Sequence, residues 1–187
     1  MRRRRTLLAC LLATLVALAG CTSRTASGGT GAPDTGTSEL FAVDQRRPAP
    51  EVTGELLEGG SYDLARHRGE VIVLNFWAAW CSPCRAEAPE LAAVAEATRA
   101  QGVSFVGIDI RDDRDKAQAF VKRYGITYPS LFDPAGRTAL TFDKVPPTAT
   151  PSTLIIDRKG RIAALYTKPL TREDLQPAVG QVAAEPN

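Results

Sequence analysis

The sequence predicts an α/β domain in which helices flank a central mixed β-sheet. Two runs of apolar and β-branched residues, at 70–78 and 103–110, have the composition of strands buried on both faces, and a helical pattern follows each. Near the end of the chain, two strand-like segments around Lys159-Gly160 lead into a last helical segment. Strands that alternate with helices, followed by a hairpin and a helix, are typical of a sheet covered by helices.

The other elements follow from local turn, cap and periodicity signals. In chain order they are a hairpin around Gly59-Gly60 (50–64), a helix (82–100), a helix ended by Gly125 (113–125), a short strand (128–133), two strands (152–157 and 161–167) and a helix with Thr171 as its N-cap (171–184). The first helix has one face formed by Leu91, Val94, Ala95 and Thr98. Residues 45–187 are enough for one domain with a hydrophobic core.

The first 20 residues have the pattern of a secretory signal: four arginines, an uncharged apolar segment and small residues. The stretch Leu18-Ala19-Gly20-Cys21 resembles the lipobox of bacterial lipoproteins. The resemblance implies cleavage before Cys21 and a diacylglycerol on its sulfur, which anchors the chain to the extracytoplasmic face of the cell membrane. An uncleaved anchor and an ordinary signal are the alternatives. Residues 21–44 are small and polar, and we expect a flexible tether before a domain at 45–187.

Charge and cysteine content narrow the function further. The whole chain has 23 basic and 21 acidic side chains, and removal of residues 1–20 leaves 19 basic and 21 acidic. This balance gives no electrostatic footprint for nucleic acid. Cys10 leaves with the signal and Cys21 is acylated, so Cys81 and Cys84 are the only free pair, in a compartment that permits disulfides. We expect a monomer without a cofactor.

Two residues separate Cys81 from Cys84, and three roles are conceivable for the pair. A closed zinc site needs four ligands, but the chain adds only one histidine, His67, so we expect no metal. A structural disulfide across so small a loop removes little entropy from the unfolded chain. A redox role fits better, because helix N-terminal amides favour a thiolate. We expect an exposed, nucleophilic Cys81 that attacks substrate disulfides and a Cys84 that resolves the mixed disulfide.

The stretch N-F-W-A-A-W-C-S-P-C, followed by Pro89, resembles the thioredoxin active site. With C-R-A-E-A-P-E-L and the preceding hairpin, residues 45–185 are similar to the TlpA/ResA/DsbE group of membrane-tethered thioredoxin-like proteins. The resemblance implies a thioredoxin-like fold with an N-terminal β-hairpin and an inserted strand–helix element. It also implies protein thiols and disulfides as substrates, and a membrane thiol–disulfide protein as electron donor or acceptor.

The resemblance also assigns roles to single residues. Cys81 matches the attacking cysteine and Cys84 the resolving one. Trp80 matches a tryptophan that contacts substrate, although a packing role is equally open to it. Thr150-Pro151 matches the cis-proline loop beside the redox pair, and an extended substrate peptide could pair with Thr150. Pro146 and Pro147 are rival prolines, but Pro151 directly precedes a strand.

Asn75 stands where thioredoxins have a buried aspartate, so another proton acceptor is needed. Glu87 lies three residues after Cys84, on an adjoining helix face, and members of the group have a glutamate there. Burial raises the pKa of a carboxyl group, which would suit Glu87 to relay the proton of Cys84. The alternative is a solvated helix glutamate.

The favoured function is therefore an extracytoplasmic thiol–disulfide oxidoreductase. The resemblance favours a dedicated reductant, for example of apocytochrome c before haem attachment, whereas related exported proteins oxidise newly secreted chains. A peroxiredoxin-type peroxidase would need a hydroxyl residue and a proline where this chain has Ala78 and Leu74. A copper-binding thioredoxin-like lipoprotein would need wider cysteine spacing and a histidine after the pair, but His67 precedes it.

Overall fold

The computed structural model describes residues 36–146 and 150–186. The predicted signal (1–20), the lipidation site Cys21, most of the tether and the rival Pro147 lie outside the described residues. Within the described part, no helix is both long and apolar enough to cross a membrane.

A six-stranded mixed sheet forms the centre of the domain. Its strands, in spatial order, are β1 (Ser38–Leu40), β8 (Ile162–Tyr166), β7 (Ser152–Ile156), β4 (Val71–Trp77), β5 (Val103–Ile110) and β6 (Ser130–Asp133). β4, β5 and β6 are parallel, whereas β7, β8 and β1 pair antiparallel with their neighbours. β2 (Thr53–Glu55) and β3 (Ser61–Asp63) form a separate hairpin, as predicted.

Three helices accompany the sheet: α1 (Ser82–Thr98), α2 (Arg114–Tyr124) and α3 (Arg172–Ala183). Each occurs where the sequence predicts it. Gly125 ends α2 with a positive φ of 63°, a conformation that glycine adopts without steric cost. Thr171 caps α3 in a reciprocal capping box with Asp174. The fold class predicted from the sequence, a thioredoxin-like α/β domain, is confirmed.

The predicted start of the domain at residue 45 is wrong. β1 lies in the segment predicted to be tether, and it pairs with β8 through Ser38 opposite Tyr166. Phe41 continues this pairing, since its N–H donates to Ala163 O at 2.8 Å, and its ring packs against the core. A three-residue edge strand has too few positions for a hydrophobic period, so the local sequence does not reveal it.

β4 separates the two halves of the core and delivers the chain to the site. All seven of its residues are buried, as expected of a central strand with helices or loops over both faces. Ile72, Leu74 and Phe76 point into one cluster, whereas Val71 and Val73 point into the cluster that α1 and α3 cover. The strand ends at Trp77, and α1 begins five residues later, so the intervening loop lies at the carboxyl edge of the parallel strands.

Candidate active site

Cys81 and Cys84 form a disulfide at the start of α1. The S–S distance is 2.07 Å and the two Cα atoms are 5.3 Å apart. Cys81 is the N-cap residue of the helix, and its Sγ accepts a hydrogen bond from the Cys84 N–H at 3.2 Å. Pro83 occupies the first turn, where its missing N–H leaves no helical bond unmade. A sulfur at position 81 therefore lies against the unpaired amide end of a 17-residue helix.

The expectation that Cys81 is exposed is wrong for this disulfide-bonded form. Cys81 is 4 % exposed and Cys84 is 1 % exposed. Both belong to an apolar cluster that also contains Trp77, Ala78 and Ala88. In the disulfide-bonded form this cluster covers the Cys81 sulfur beside the first turn of α1.

Two hydrogen bonds to the backbone of Ala79 hold the loop between β4 and α1 in place. The Ala79 N–H donates to the carboxylate of Asp112, and its carbonyl oxygen accepts a bond from Arg85 Nη1 at 2.9 Å. The Trp80 ring donates from Nε1 to Arg111 O at 3.0 Å, while 53 % of the residue stays exposed. The tryptophan is thus fixed at one atom and open to solvent beside the disulfide, where a substrate could contact it.

Glu87 is buried, with 2 % of the residue exposed. Its Oε1 accepts a bond from Asn75 Nδ2 at 2.9 Å, and its Oε2 accepts one from the Leu170 N–H at 3.1 Å. Burial raises the pKa of Glu87 to about 7, although both hydrogen bonds oppose the shift. The carboxyl group can therefore exchange a proton near neutrality, one helical turn beyond Cys84.

Thr150 and Pro151 lie at the same end of the sheet as the disulfide. The peptide bond between them is cis, and Pro151 is buried. β7 begins at the next residue and runs antiparallel to β4, with Ser152 opposite Phe76. The start of β7 therefore adjoins the end of β4, which leads to the redox loop. Residues 147–149, just before this pair, are outside the described part of the chain.

Asp109 is a buried acid that the sequence analysis did not single out. It lies on β5 opposite Trp77, is fully buried, and accepts no hydrogen bond from the described residues. Trp77 Nε1 and Ser130 Oγ are also buried without a described partner. Burial, followed by the charge of Asp112, raises the pKa of Asp109 to about 8. An acidic residue within the apolar run V-S-F-V-G-I-D-I was the available signal.

No group of three or more histidine, cysteine, aspartate or glutamate side chains among the described residues is placed to hold a metal ion.

The chain matches one family model and is similar to individual relatives over most of its length. The family model described as "AhpC/TSA family" matches residues 46–165. The thiol:disulfide interchange protein DsbE homolog of Paracoccus denitrificans is 37 % identical over 132 residues, which cover 68 % of this chain and 69 % of the relative. The thiol-disulfide oxidoreductase ResA of Geobacillus thermodenitrificans is 29 % identical over 139 residues, or 74 % and 78 % of the two chains.

Solved structures share the fold over most of the domain. A secreted thiol-disulfide isomerase from Corynebacterium glutamicum matches with a TM-score of 0.77 and 32 % identity, covering 83 % of this chain and 96 % of that one. A DsbF homologue from Corynebacterium diphtheriae matches with a TM-score of 0.74 and 36 % identity, covering 81 % and 96 %.

Proposed function

The chain is a thioredoxin-like thiol–disulfide oxidoreductase of the AhpC/TSA family, and we propose that Cys81 and Cys84 are its redox pair. One observation carries this proposal: the two sulfurs are bonded at the N-terminus of α1, where the Cys84 N–H donates to the Cys81 sulfur. When the pair is reduced, the same amide and the helix dipole would stabilise a thiolate on Cys81.

The exchange reaction takes place in two steps. The Cys81 thiolate attacks one sulfur of a substrate disulfide, forms a mixed disulfide and releases the other substrate sulfur as a thiolate. Cys84 then loses its proton and attacks the Cys81 sulfur, which restores the Cys81–Cys84 bond and releases the second substrate thiolate. Two electrons pass from the protein to the substrate, and the reverse sequence oxidises a dithiol.

Glu87 is proposed to accept the proton of Cys84 in the second step. Its pKa near 7 and its position one turn along the helix support this role. Trp80 and the backbone at Thr150-Pro151 are proposed to hold the substrate. The exposed indole ring offers an apolar contact, and an extended peptide could pair with the backbone at Thr150.

We propose reduction as the physiological direction, with a protein such as apocytochrome c as the client. Similarity to ResA and to the DsbE homolog supports this choice. Equilibration of the Cys81–Cys84 couple with glutathione tests it. A reductant should have a potential of about −270 mV, whereas a value of about −120 mV would instead favour a role in oxidising secreted proteins.

The leader sequence supports a proposal for the location. We propose that Cys21 carries a lipid and that the domain faces the extracytoplasmic side of the membrane, where a membrane thiol–disulfide protein exchanges electrons with it. Solved relatives described as secreted support export. In a bacterial host, the Cys21→Ser variant should leave the membrane fraction. Membrane retention equal to that of the unaltered chain would contradict lipid anchoring.

Single cysteine replacements test the redox pair directly. Cys81→Ser should abolish insulin disulfide reduction. Cys84→Ser should instead accumulate a mixed disulfide with the substrate, visible as added mass that dithiothreitol removes. Ser82→Ala, a small change between the two cysteines, is a matched control and should retain activity. Full activity in Cys81→Ser would refute the assignment.

A further inference from the structure

A shallow groove beside the redox loop has an aromatic floor and a basic rim. Its volume is about 390 Å³. The floor is formed by Ala79, Phe120 and Tyr124, and the rim by Arg85, Lys116 and Arg123. The three rim cations are exposed, and within the described part of the chain none of them forms an ion pair with a carboxylate. Three unpaired cations around one depression are a complementary surface for carboxylates.

The groove adjoins the reacting sulfurs. Ala79 is two residues before Cys81, and Arg85 directly follows Cys84. Two residues of extended chain span about 7 Å. A protein segment that brings its own cysteine to Cys81 therefore has flanking residues, two to four positions away, within reach of the groove.

The groove is also rigidly connected to the strand that carries the site. The Phe120 ring stacks on Trp77 with centroids 4.5 Å apart, and the Tyr124 ring is 4.6 Å from Phe120. Arg123 lies over Tyr124 at 5.8 Å, and Arg85 is bonded to the Ala79 carbonyl. The aromatic floor and Arg85 are thus already held in place, and this part of the surface loses little conformational entropy when a partner binds.

We infer that this groove is a docking subsite for an acidic segment flanking the reactive cysteine of the protein substrate. The inference rests on the proposed function, because it concerns the substrate of the same site. Carboxylates of the substrate would pair with Arg85, Lys116 and Arg123, and an apolar or aromatic side chain would lie on Phe120 and Tyr124. The Asp112 carboxylate accepts a bond from the Ala79 N–H, and among the described residues it forms no ion pair with the three rim cations.

Binding is tested with peptides that do not react. The oxidised protein is titrated calorimetrically with three peptides that have serine at the centre and glutamate, glutamine or lysine at the second and third positions on each side. At low salt, we expect the glutamate peptide to bind about tenfold more tightly than the lysine peptide. The preference should shrink to about twofold near 0.5 M salt, because exposed pairs are screened. Equal binding of the peptides at low salt would overturn the inference.

Charge-reversal variants test whether the groove is the source of the preference for the glutamate peptide. The double variant Lys116→Glu/Arg123→Glu should bind the glutamate peptide no more tightly than the lysine peptide. The uncharged double variant Lys116→Gln/Arg123→Gln should reduce the ratio of the two affinities at least threefold. Lys122→Glu is the matched control, because Lys122 is exposed in the same helical turn of α2 as Arg123 but does not line the groove. It should keep the preference, and an equal loss in this control would overturn the inference. Unchanged circular dichroism melting identifies variants that remain folded.

Two further measurements separate this inference from its rivals. Protein whose Cys81–Cys84 bond has been reduced is mixed with the same peptides carrying cysteine at the centre, blocked as a disulfide with thionitrobenzoate. The protein dithiol is oxidised to the disulfide as the peptide disulfide is reduced, and the released yellow thiolate reports the exchange. Selective binding without exchange would support docking and refute the proposed function, whereas equal exchange and equal binding would overturn docking alone. Vesicles of phosphatidylglycerol test a membrane as the occupant. If they bind through Lys116 and Arg123 while the peptides show no preference, the docking inference is overturned.

Discussion

Asn75 and Glu87 are joined by a 2.9 Å hydrogen bond between β4 and α1, from the amide Nδ2 to the carboxyl Oε1. Asn75 also donates to Thr153 Oγ1 at 3.0 Å, so β4 and β7 together orient the amide. An amide in this position can hold the carboxylate but cannot exchange a proton itself. Glu87 is therefore the group that we propose as the proton acceptor at this end of α1.

The first prediction concerns the pH dependence of exchange. With a pKa of about 7, Glu87 changes from acid to base as the pH rises through neutrality. The rate at which Cys84 resolves a preformed mixed disulfide should rise through this range in the unaltered protein. In Glu87→Gln, the rise near pH 7 should vanish and the rate at pH 8 should fall about tenfold or more, because a general base is lost. Stopped-flow fluorescence of the unaltered protein and of Glu87→Gln, recorded across this pH range, measures the rate of resolution.

Glu90→Gln is the control for this experiment. Glu90 lies one turn further along α1, is only half-buried, and accepts a bond from the Arg172 N–H. Its pH profile should match that of the unaltered protein. If Glu87→Gln also kept the profile, the relay role of Glu87 would be abandoned.

The same carboxyl group should make stability depend on pH. Its pKa rises from 4.5 to about 7 on folding, so between these values the folded chain binds more protons than the unfolded chain. Stability should therefore fall as the pH rises from 4.5 to 7, by at most about 3 kcal/mol. Urea unfolding should show the decline in the unaltered protein, and Glu87→Gln should remove it. A parallel decline in both proteins would contradict the burial argument.

Asp109 should be a second buried acid that makes the stability of the fold decrease as the pH rises. Burial raises its pKa from 3.8 to about 8, so between these pH values the folded chain keeps a proton on Asp109 that the unfolded chain releases, and stability falls as the pH rises. Asp109→Asn should therefore gain melting temperature relative to the unaltered protein as the pH rises from 4 to 9. Asp115→Asn, an exposed change in the first turn of α2, is the control. A melting difference that does not vary with pH would argue against a buried, neutral Asp109.

Much of this architecture could be predicted because its signals are local. β4 and β5 have apolar, β-branched runs, α1 has a helical period, and the C-S-P-C spacing indicates a redox pair. The position of Glu87 one turn after Cys84 followed from helix geometry, although its burial required α3 and the neighbouring strands to pack over it.

The features that escaped prediction depend on contacts between distant residues. β1 exists because Ser38 meets Tyr166, a relationship that no short window of sequence contains. The burial of Cys81 depends on an apolar cluster that also contains Leu57, Ala117 and Phe120, which are far from it in the chain. The basic groove forms only when α2 lies beside the redox loop, which brings Lys116 and Arg123 close to Arg85.

The last prediction concerns an ion cluster that joins the two ends of the domain. Arg46 is buried and contacts Asp157 Oδ2 at 3.2 Å and Glu185 Oε2 at 2.5 Å. Arg46→Ala would leave Asp157 buried with only the bonds from Arg161 and the backbone turn. Removing one partner of a buried pair costs about 3–5 kcal/mol. We expect the lower end of this range, because Arg161 keeps part of the charge paired.

Lys144→Ala supplies the comparison for Arg46→Ala. Lys144 and Glu39 also form an ion pair, at 2.8 Å, but both side chains are substantially exposed. Breaking an exposed pair should cost less than about 1 kcal/mol. Chemical denaturation of both variants at pH 7 should therefore separate them by about 2 kcal/mol or more. Similar losses in the two variants would mean that burial does not strengthen the Arg46 cluster, and that its role in fastening the N-terminal segment to the end of α3 is minor.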